Sequence, residues 1–303
     1  MFVSIMGNTP LVSVVMSVYN GARYLRQAVD SILNQSFSDF EFIIIDDGST
    51  DDSMAIINTY QDTRIRLVEN VGNLGLPTSL NRGIREAKGK YIARQDADDV
   101  SLPARLEEQL HYAGQTVDRA VVGSGWEYID TYGAGFGQMA IGSDHSEIME
   151  GLVPNKLKFP HGCYFMRKEA LEAIGGYDER FFYTQDYDLL LRMSKEFKFG
   201  AVSSVLYQFR TAPWKNNFKI LCQAHYRAIA QKRYANDIGD EIDVPTVAEL
   251  RALYADDIQT FKFYKSRYWY SISRAAWQFG ERSQSVRYIS KCLGTFLTRR
   301  PND

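Results

Sequence analysis

Three carboxylates crowd four positions at Asp96, Asp98 and Asp99. Charges of one sign at such spacing repel unless a cation or ordered N–H donors sit among them. A divalent cation is the direct solution. Mg²⁺ and Mn²⁺ prefer oxygen ligands, and Mg²⁺ commonly takes one or two carboxylates and fills its shell with waters and substrate phosphates. An Asx turn or an N-cap ahead of the helix that follows Pro103 accounts for one such aspartate, not for three. A second acidic group, Asp46-Asp47-Gly48-Ser49-Thr50-Asp51, closes an apolar run. Ser49 and Asp51 suit the capping of the next helix. Asp46 and Asp47 stand at the run's end, where a carboxylate can accept hydrogen bonds from a base N–H or from ribose hydroxyls. Asp186, in Thr184-Gln185-Asp186-Tyr187-Asp188-Leu189, opens an amphipathic segment as either a helix cap or a free carboxylate. His161, between Pro160 and Gly162, is open to a structural or a ligating role.

The elements that must position these groups follow from periodicity. Val12 to Val18 is a β-branched-rich run without polar alternation, the pattern of a strand buried on both faces. Leu25, Ala28, Val29, Ile32 and Leu33 recur at helical spacing, and Phe40 to Ile45 is a second buried strand. Further helices are predicted through Met54, Ile57 and Tyr60 and through Leu80, Ile84 and Ala87. Further strands are predicted at Ile65 to Val68, Tyr91 to Arg94 and Ala120 to Gly123. Repeated βαβ units imply right-handed crossovers and helices on both faces of the sheet. After Pro103 a helix carries Leu106 and Leu110, and Gly133 to Ser143 reads as a loop or weak hairpin. Cys163 to Met166 reads as a strand, Lys168 to Ile174 as a short helix ended by Gly175-Gly176, and Asp186 to Phe197 as a helix. From about Pro213 the pattern is helical. In an open parallel sheet ligands bind beyond the carboxyl ends of the strands, so Ser17-Val18-Tyr19-Asn20, Asp46 to Ser49 and Arg94 to Asp99 are expected to share one cleft.

Composition narrows the classes. The chain has 303 residues, 45% of them hydrophobic and 24% charged, which excludes disordered and low-complexity types. A net charge of -2 removes the basic excess of a nucleic-acid binder. Cys163, Cys222 and Cys292 are too few and too dispersed for a disulfide framework. No apolar run is long enough for a membrane span, and Met1 to Pro10 lacks the basic start of a signal peptide, so a cytoplasmic protein is expected. After the first strand comes Tyr19-Asn20-Gly21-Ala22-Arg23, neither a dinucleotide fingerprint nor a P-loop.

Taken together, Val12 to Asn20, Phe42 to Ser49, Asn81-Arg82-Gly83-Ile84 with Ala87-Lys88-Gly89, Tyr91 to Leu106, Gly175-Gly176-Tyr177-Asp178 and Gln185 to Leu189 resemble the inverting family 2 glycosyltransferases of the GT-A fold. The resemblance spans roughly residues 10–210. It implies an α/β, GT-A-type nucleotide-binding domain over 1–212, with a mostly parallel central sheet flanked by helices. Its nucleotide-sugar half would cover about 10–125 and its acceptor half 126–212, with a helical C-terminal extension over 213–303. Carried over by motif, Ser17, Tyr19 and Asp47 would contact the donor nucleoside, with Asp47 reading the base. Asp96 would lie near the ribose, Asp98 would hold a divalent metal, Mn²⁺ or Mg²⁺, on the diphosphate, and Asp186 would be the catalytic base. Gln185 departs from the usual Glu before that base.

The implied reaction moves a sugar, most readily from a UDP-sugar, to a hydroxyl of a saccharide or lipid-linked acceptor in surface polysaccharide or glycoconjugate assembly. A nucleotidyltransferase or a non-catalytic nucleotide-sugar-binding protein is the alternative. Residues 261–303 carry nine basic residues against two acidic, interleaved with Tyr264, Tyr268, Trp269, Tyr270 and Trp277. That pattern suits either peripheral contact with an anionic membrane face or a helical hairpin packed on protein, in this chain or in an oligomer.

Overall fold

The computed structural model describes residues 9–116, 118–140, 144–153, 159–211 and 217–254. The aromatic basic segment 261–303 and Cys292 lie outside the described residues. Four parallel strands form the first half: β1 (Val12–Val18), β2 (Phe40–Asp46), β3 (Ile65–Glu69) and β4 (Tyr91–Asp96), in spatial order β3-β2-β1-β4. Alternation along the strands sends side chains to two cores. Val14, Met16, Phe42 and Ile44 pack with Leu25, Ala28, Val29 and Ile32 of α1 (Ala22–Leu33) and with Leu106 of α4 (Arg105–Gly114). Val15, Ile43 and Ile45 face the other way, onto Leu80 and Ile84 of α3 (Leu76–Glu86). α2 (Ser53–Ile57) is shorter than its periodicity suggested. Gly83 sets the approach of α3, because a Cβ there would meet Val15 Cγ1 at 2.5 Å. Truncating a buried residue such as Leu25 to Ala would cost about 2–5 kcal/mol.

Beyond β4 the sheet becomes mixed. β8 (Phe165–Arg167) runs antiparallel between β4 and β6 (Arg119–Ile129), and β6 pairs in parallel with β9 (Lys198–Arg210). β7 (Gly135–Met139) folds back on β6, so the expected loop or weak hairpin is a hairpin. β5 (Val100–Ser101) pairs antiparallel with β9 through Val100–Gln208 and Ser101–Tyr207, which brings the end of β9 against the acidic turn. β9 was not foreseen. Its register against β6 jumps from Val202 to Val205, so Ser203-Ser204 bulges out and breaks the alternation that would have marked a strand.

The remaining helices are α5 (His145–Leu152), α6 (Lys168–Ala173), α7 (Gln185–Met193), α8 (Asn217–Ala235) and α9 (Val247–Leu253). A 3-10 turn spans His161–Cys163. α7 begins after Thr184, whose backbone is left-handed at φ 66°, and packs against α8. Among the described residues no helix is long and apolar enough to cross a membrane.

Candidate functional site

β1 sends its chain to β2 on one side while β4 lies on the other, so the carboxyl ends of β1 and β4 flank the switch point of the sheet. Register places Ser17 beside Asp96 and Val18 beside Asp46. Tyr19 stands exposed at the rim, and the chain turns at Asn20 with a positive φ of 52°. Asn20 Oδ1 accepts from the backbone N–H groups of Thr50 (2.7 Å) and Asp51 (3.3 Å), fastening the β1 loop to the β2 loop. Asp51 accepts from the first N–H groups of two helices, Ala22 and Ser53, each at 3.0 Å.

The two aspartates that end β2 do different things. Asp47 is buried and accepts three hydrogen bonds, from Asn70 Nδ2 (2.8 Å), Leu74 N (2.9 Å) and Gly75 N (3.0 Å). Its carboxylate therefore holds the loop 70–75 closed over the end of β2. Asp46 takes Ser49 N on one oxygen at 3.1 Å, while its Oδ1 is buried with no partner.

At the end of β4, Asp96 Oδ1 accepts from Arg94 Nη2 at 2.7 Å, and Asp96 N donates to the Tyr207 hydroxyl at 3.3 Å. The turn at His161–Cys163 passes so close that a Cβ on Gly162 would lie 1.8 Å from that hydroxyl and 3.0 Å from Asp96 Oδ2. Asp98 is open to solvent at its tip yet walled by protein, the signature of a crevice. Among the described residues no side-chain hydrogen bond holds its carboxylate. Burial in the crevice and then the charge of Asp96 push its pKa up to about 6. Asp99 is buried, and its carboxyl is pushed well above the usual range by burial and then by Asp98 and Asp96. It accepts from Arg210 N at 2.7 Å on Oδ1, and the Tyr207 side chain together with that amide eases the rise.

Asp186 faces the same acidic group from the first turn of α7. Burial raises its pKa, the charge of Asp96 adds to the rise, and Arg227 of α8 opposes it. Its Oδ1 accepts from the N–H of the next residue, Tyr187, at 2.9 Å. The buried Tyr164 hydroxyl, which has no partner among the described residues, is pushed up by burial and then by the charge of Asp186. Lys219 of α8 completes the wall. Its Nζ lies 5.5 Å from the Tyr183 ring, and its charge faces Asp98, Asp96 and Asp186, which offset part of the lowering that burial imposes. His161 donates to or accepts from the Tyr177 hydroxyl at 2.7 Å, and burial with Arg94 nearby holds it neutral, far below its usual pKa. A cavity of about 670 Å³ lies apart from this cleft, beneath Gly175 to Arg180, and two of its arginines, Arg192 and Arg233, are already paired with Asp188.

The family model for glycosyl transferase family 2 matches residues 13–175. The putative glycosyltransferase EpsE of Bacillus subtilis is 36% identical over 211 residues, 68% of this chain and 74% of EpsE. The chain belongs to glycosyl transferase family 2. The O-antigen biosynthesis glycosyltransferase WbnJ of Escherichia coli is 35% identical over 192 residues, covering 61% of this chain and 72% of WbnJ. Among solved structures, Staphylococcus aureus TarS in complex with UDP-GlcNAc aligns with a TM-score of 0.60 at 13% identity, over 94% of this chain and 91% of that one. The mannosyltransferase PcManGT of Pyrobaculum calidifontis, in complex with GDP-Man and Mn²⁺, aligns at 0.57 and 16% identity, over 97% of this chain and 78% of that one. These neighbours place the glycosyltransferase in the GT-A fold.

Of the residues singled out in the sequence, Ser17 lies beside Asp96 in register, Asp98 follows in the same turn, Asp186 lies near enough for the charge of Asp96 to act on it, and Tyr19 is exposed just beyond β1. Asp47 stands behind them, its acceptor positions engaged by the 70–75 loop. Arg94, Arg210 and Lys219 carried no signal in the sequence, since a lone basic residue on a strand or helix is not a motif. The exposed carboxylate of Asp98, which no side-chain hydrogen bond holds among the described residues, fits a cation bound through few protein ligands. No group of three or more metal-ligating side chains occurs among the described residues, and an Mg²⁺ or Mn²⁺ held by Asp98 would complete its shell with phosphates and water.

Proposed function

We propose that this family 2 glycosyltransferase is a metal-dependent inverting enzyme that transfers a sugar from a nucleotide-sugar donor, a UDP-sugar foremost, to a hydroxyl of a saccharide or lipid-linked acceptor. The observation that supports the reading is the acidic turn after β4, where Asp96 lies beside Ser17 in register and Asp98 has no side-chain hydrogen bond among the described residues, with Asp186 of α7 near enough to feel the charge of Asp96. Ser17, Tyr19 and Asp96 flank the nucleoside. For Asp47 to accept a base N–H it must share or exchange the amides of Leu74 and Gly75, so donor binding and the 70–75 loop are coupled. Asp98 would hold the cation, which supplies charge neutralisation on the departing diphosphate. Lys219 adds a positive charge to the same wall.

On the acceptor side Asp186 takes the proton of the attacking hydroxyl. Burial makes it a stronger base than an exposed aspartate. The hydroxyl oxygen bonds to the anomeric carbon as the bond to the diphosphate breaks, and one displacement inverts that carbon. The name of WbnJ, an O-antigen biosynthesis glycosyltransferase, supports surface polysaccharide assembly, and the bound UDP-GlcNAc and GDP-Man of the structural neighbours support a nucleotide-sugar donor.

The test is a thermal-shift panel of UDP-, GDP- and dTDP-sugars with and without Mn²⁺, followed by NMR of the product anomer. At a hundred times Kd a true donor adds about 2.7 kcal/mol of stability. A product of retained configuration removes the inverting mechanism. Transfer of the nucleotide in place of the sugar favours the nucleotidyltransferase alternative.

A further inference from the structure

β4 carries one of two arginines that are fully buried around it, and their hydrogen bonding differs sharply. Arg105, on α4 beneath the sheet, has every nitrogen bonded: Nε to Gln109 Oε1 (3.0 Å), Nη1 to Ser101 Oγ (2.8 Å) and Gln95 Oε1 (3.2 Å), and Nη2 to the carbonyl oxygen of Arg94 (2.7 Å). That is a guanidinium used to hold strand, turn and helix together. Arg94 is 1% exposed and among the described residues makes one bond, from Nη2 to Asp96 Oδ1, while its buried Nε and Nη1 have no partner there. A buried guanidinium with one acceptor does not recover its desolvation cost, so fold stability does not account for it. Strand alternation puts Arg94 and Asp96 on one face, and Gln95 on the other with Arg105.

The pair fixes Asp96. Oδ1 is taken by the arginine, and Oδ2 is confined by the turn at Gly162. Asp98, two residues on, has no such partner among the described residues. A carboxylate already paired with a guanidinium offers a dication less negative potential, and the guanidinium repels the dication directly. We propose that Arg94 is a positioning residue that holds Asp96 out of the metal shell and so leaves Asp98 as the motif's ligand to the divalent cation. This rests on the metal-dependent reading given above. A division of labour between two similar aspartates is thereby written into the preceding strand.

The experiment measures Mn²⁺ binding to nucleotide-free, full-length protein by electron paramagnetic resonance of free Mn²⁺, with circular dichroism of each variant as a check on folding. Arg94→Gln is expected to bind Mn²⁺ roughly tenfold tighter than wild type while kcat falls, because Asp96 is released toward the cation. A merely structural role would lower both. Arg94→Lys, which keeps the charge, is expected near wild type, and Arg94→Gln with Asp96→Asn is expected to lose the gain. Asp96→Asn alone, in which the neutral amide keeps the shape, is expected to stay within about threefold of wild type. Arg94→Gln binding Mn²⁺ no tighter than wild type overturns the proposal, and so does Asp96→Asn abolishing Mn²⁺ binding. A wild-type protein that binds no nucleotide sugar with any metal instead removes the reading on which the proposal rests.

Discussion

Arg210 donates from Nε to the carbonyl oxygen of Asp98 at 2.7 Å, across 112 residues of chain. The same residue donates its backbone N–H to Asp99 Oδ1, and its guanidinium reaches Asp130 O (2.9 Å) and Gln27 Oε1 (2.7 Å) while lying 4.3 Å from the Tyr24 ring centre. The last residue of β9 thus sets the shape of the acidic turn and ties it to α1. Asp98 can stay unpaired on its side chain because its backbone is held.

Replacing Arg210 by Met leaves the acceptors at Asp98 O and Gln27 Oε1 without that donor and takes from Asp130 O one of its two, the other being Gly133 N. Loss of these buried charge-assisted bonds is expected to cost about 3 kcal/mol of stability. Donor KM in the presence of Mn²⁺ is expected to rise as the turn loosens. Urea unfolding and initial rates check both, and a variant that loses stability with an unchanged KM would separate Arg210 from the site.

Asp47 gives a second, distinct expectation. Asp47→Ala removes one acceptor shared by three donors, and a loss of about 2–4 kcal/mol is expected. Hydrogen exchange is expected to quicken first at the Leu74 and Gly75 amides. Ser17→Ala, which removes none of the three bonds from Asp47 to that loop, is expected to leave exchange there unchanged.

The parallel block of the fold was legible because β1 and β2 are unbroken β-branched and apolar runs, and because α1 and α3 show helical spacing where the sheet needs cover. β9 was not, since the bulge at Ser203-Ser204 erases its period-two signal. At the site, Asp96, Asp98 and Asp186 were legible as acids at strand and helix ends. Which of them is free was not, because that depends on Arg94, Arg210 and the Gly162 turn arriving from distant parts of the chain. Asp47 illustrates the limit: its place just beyond β2 was legible, but its three internal donors come from a loop with no motif.

His161 predicts a pH dependence of stability. It is neutral in the fold with a pKa well below its ordinary 6.5, so only the unfolded chain takes up its proton near that value. Its contribution is present above pH 6.5 and is lost as pH falls, with a slope of up to about 1.4 kcal/mol per pH unit. His161→Gln is expected to flatten stability between pH 6.5 and 5 by that amount relative to wild type. His145 and His225, also lowered by burial, act in the same direction in both proteins, and Asp98, raised to about 6, acts in the opposite one, so the difference isolates His161.

The most direct test of the account compares Asp98→Ala with Asp186→Asn for Mn²⁺-dependent donor binding by calorimetry and for sugar transfer under identical conditions. Asp98→Ala is expected to lose metal-dependent donor binding, whereas Asp186→Asn keeps it within a few-fold and loses at least about a thousandfold in turnover, the scale of a removed general base. Asp186→Asn with undiminished transfer, or Asp98→Ala with undiminished metal-dependent binding, would contradict the assignment of one cleft to both tasks.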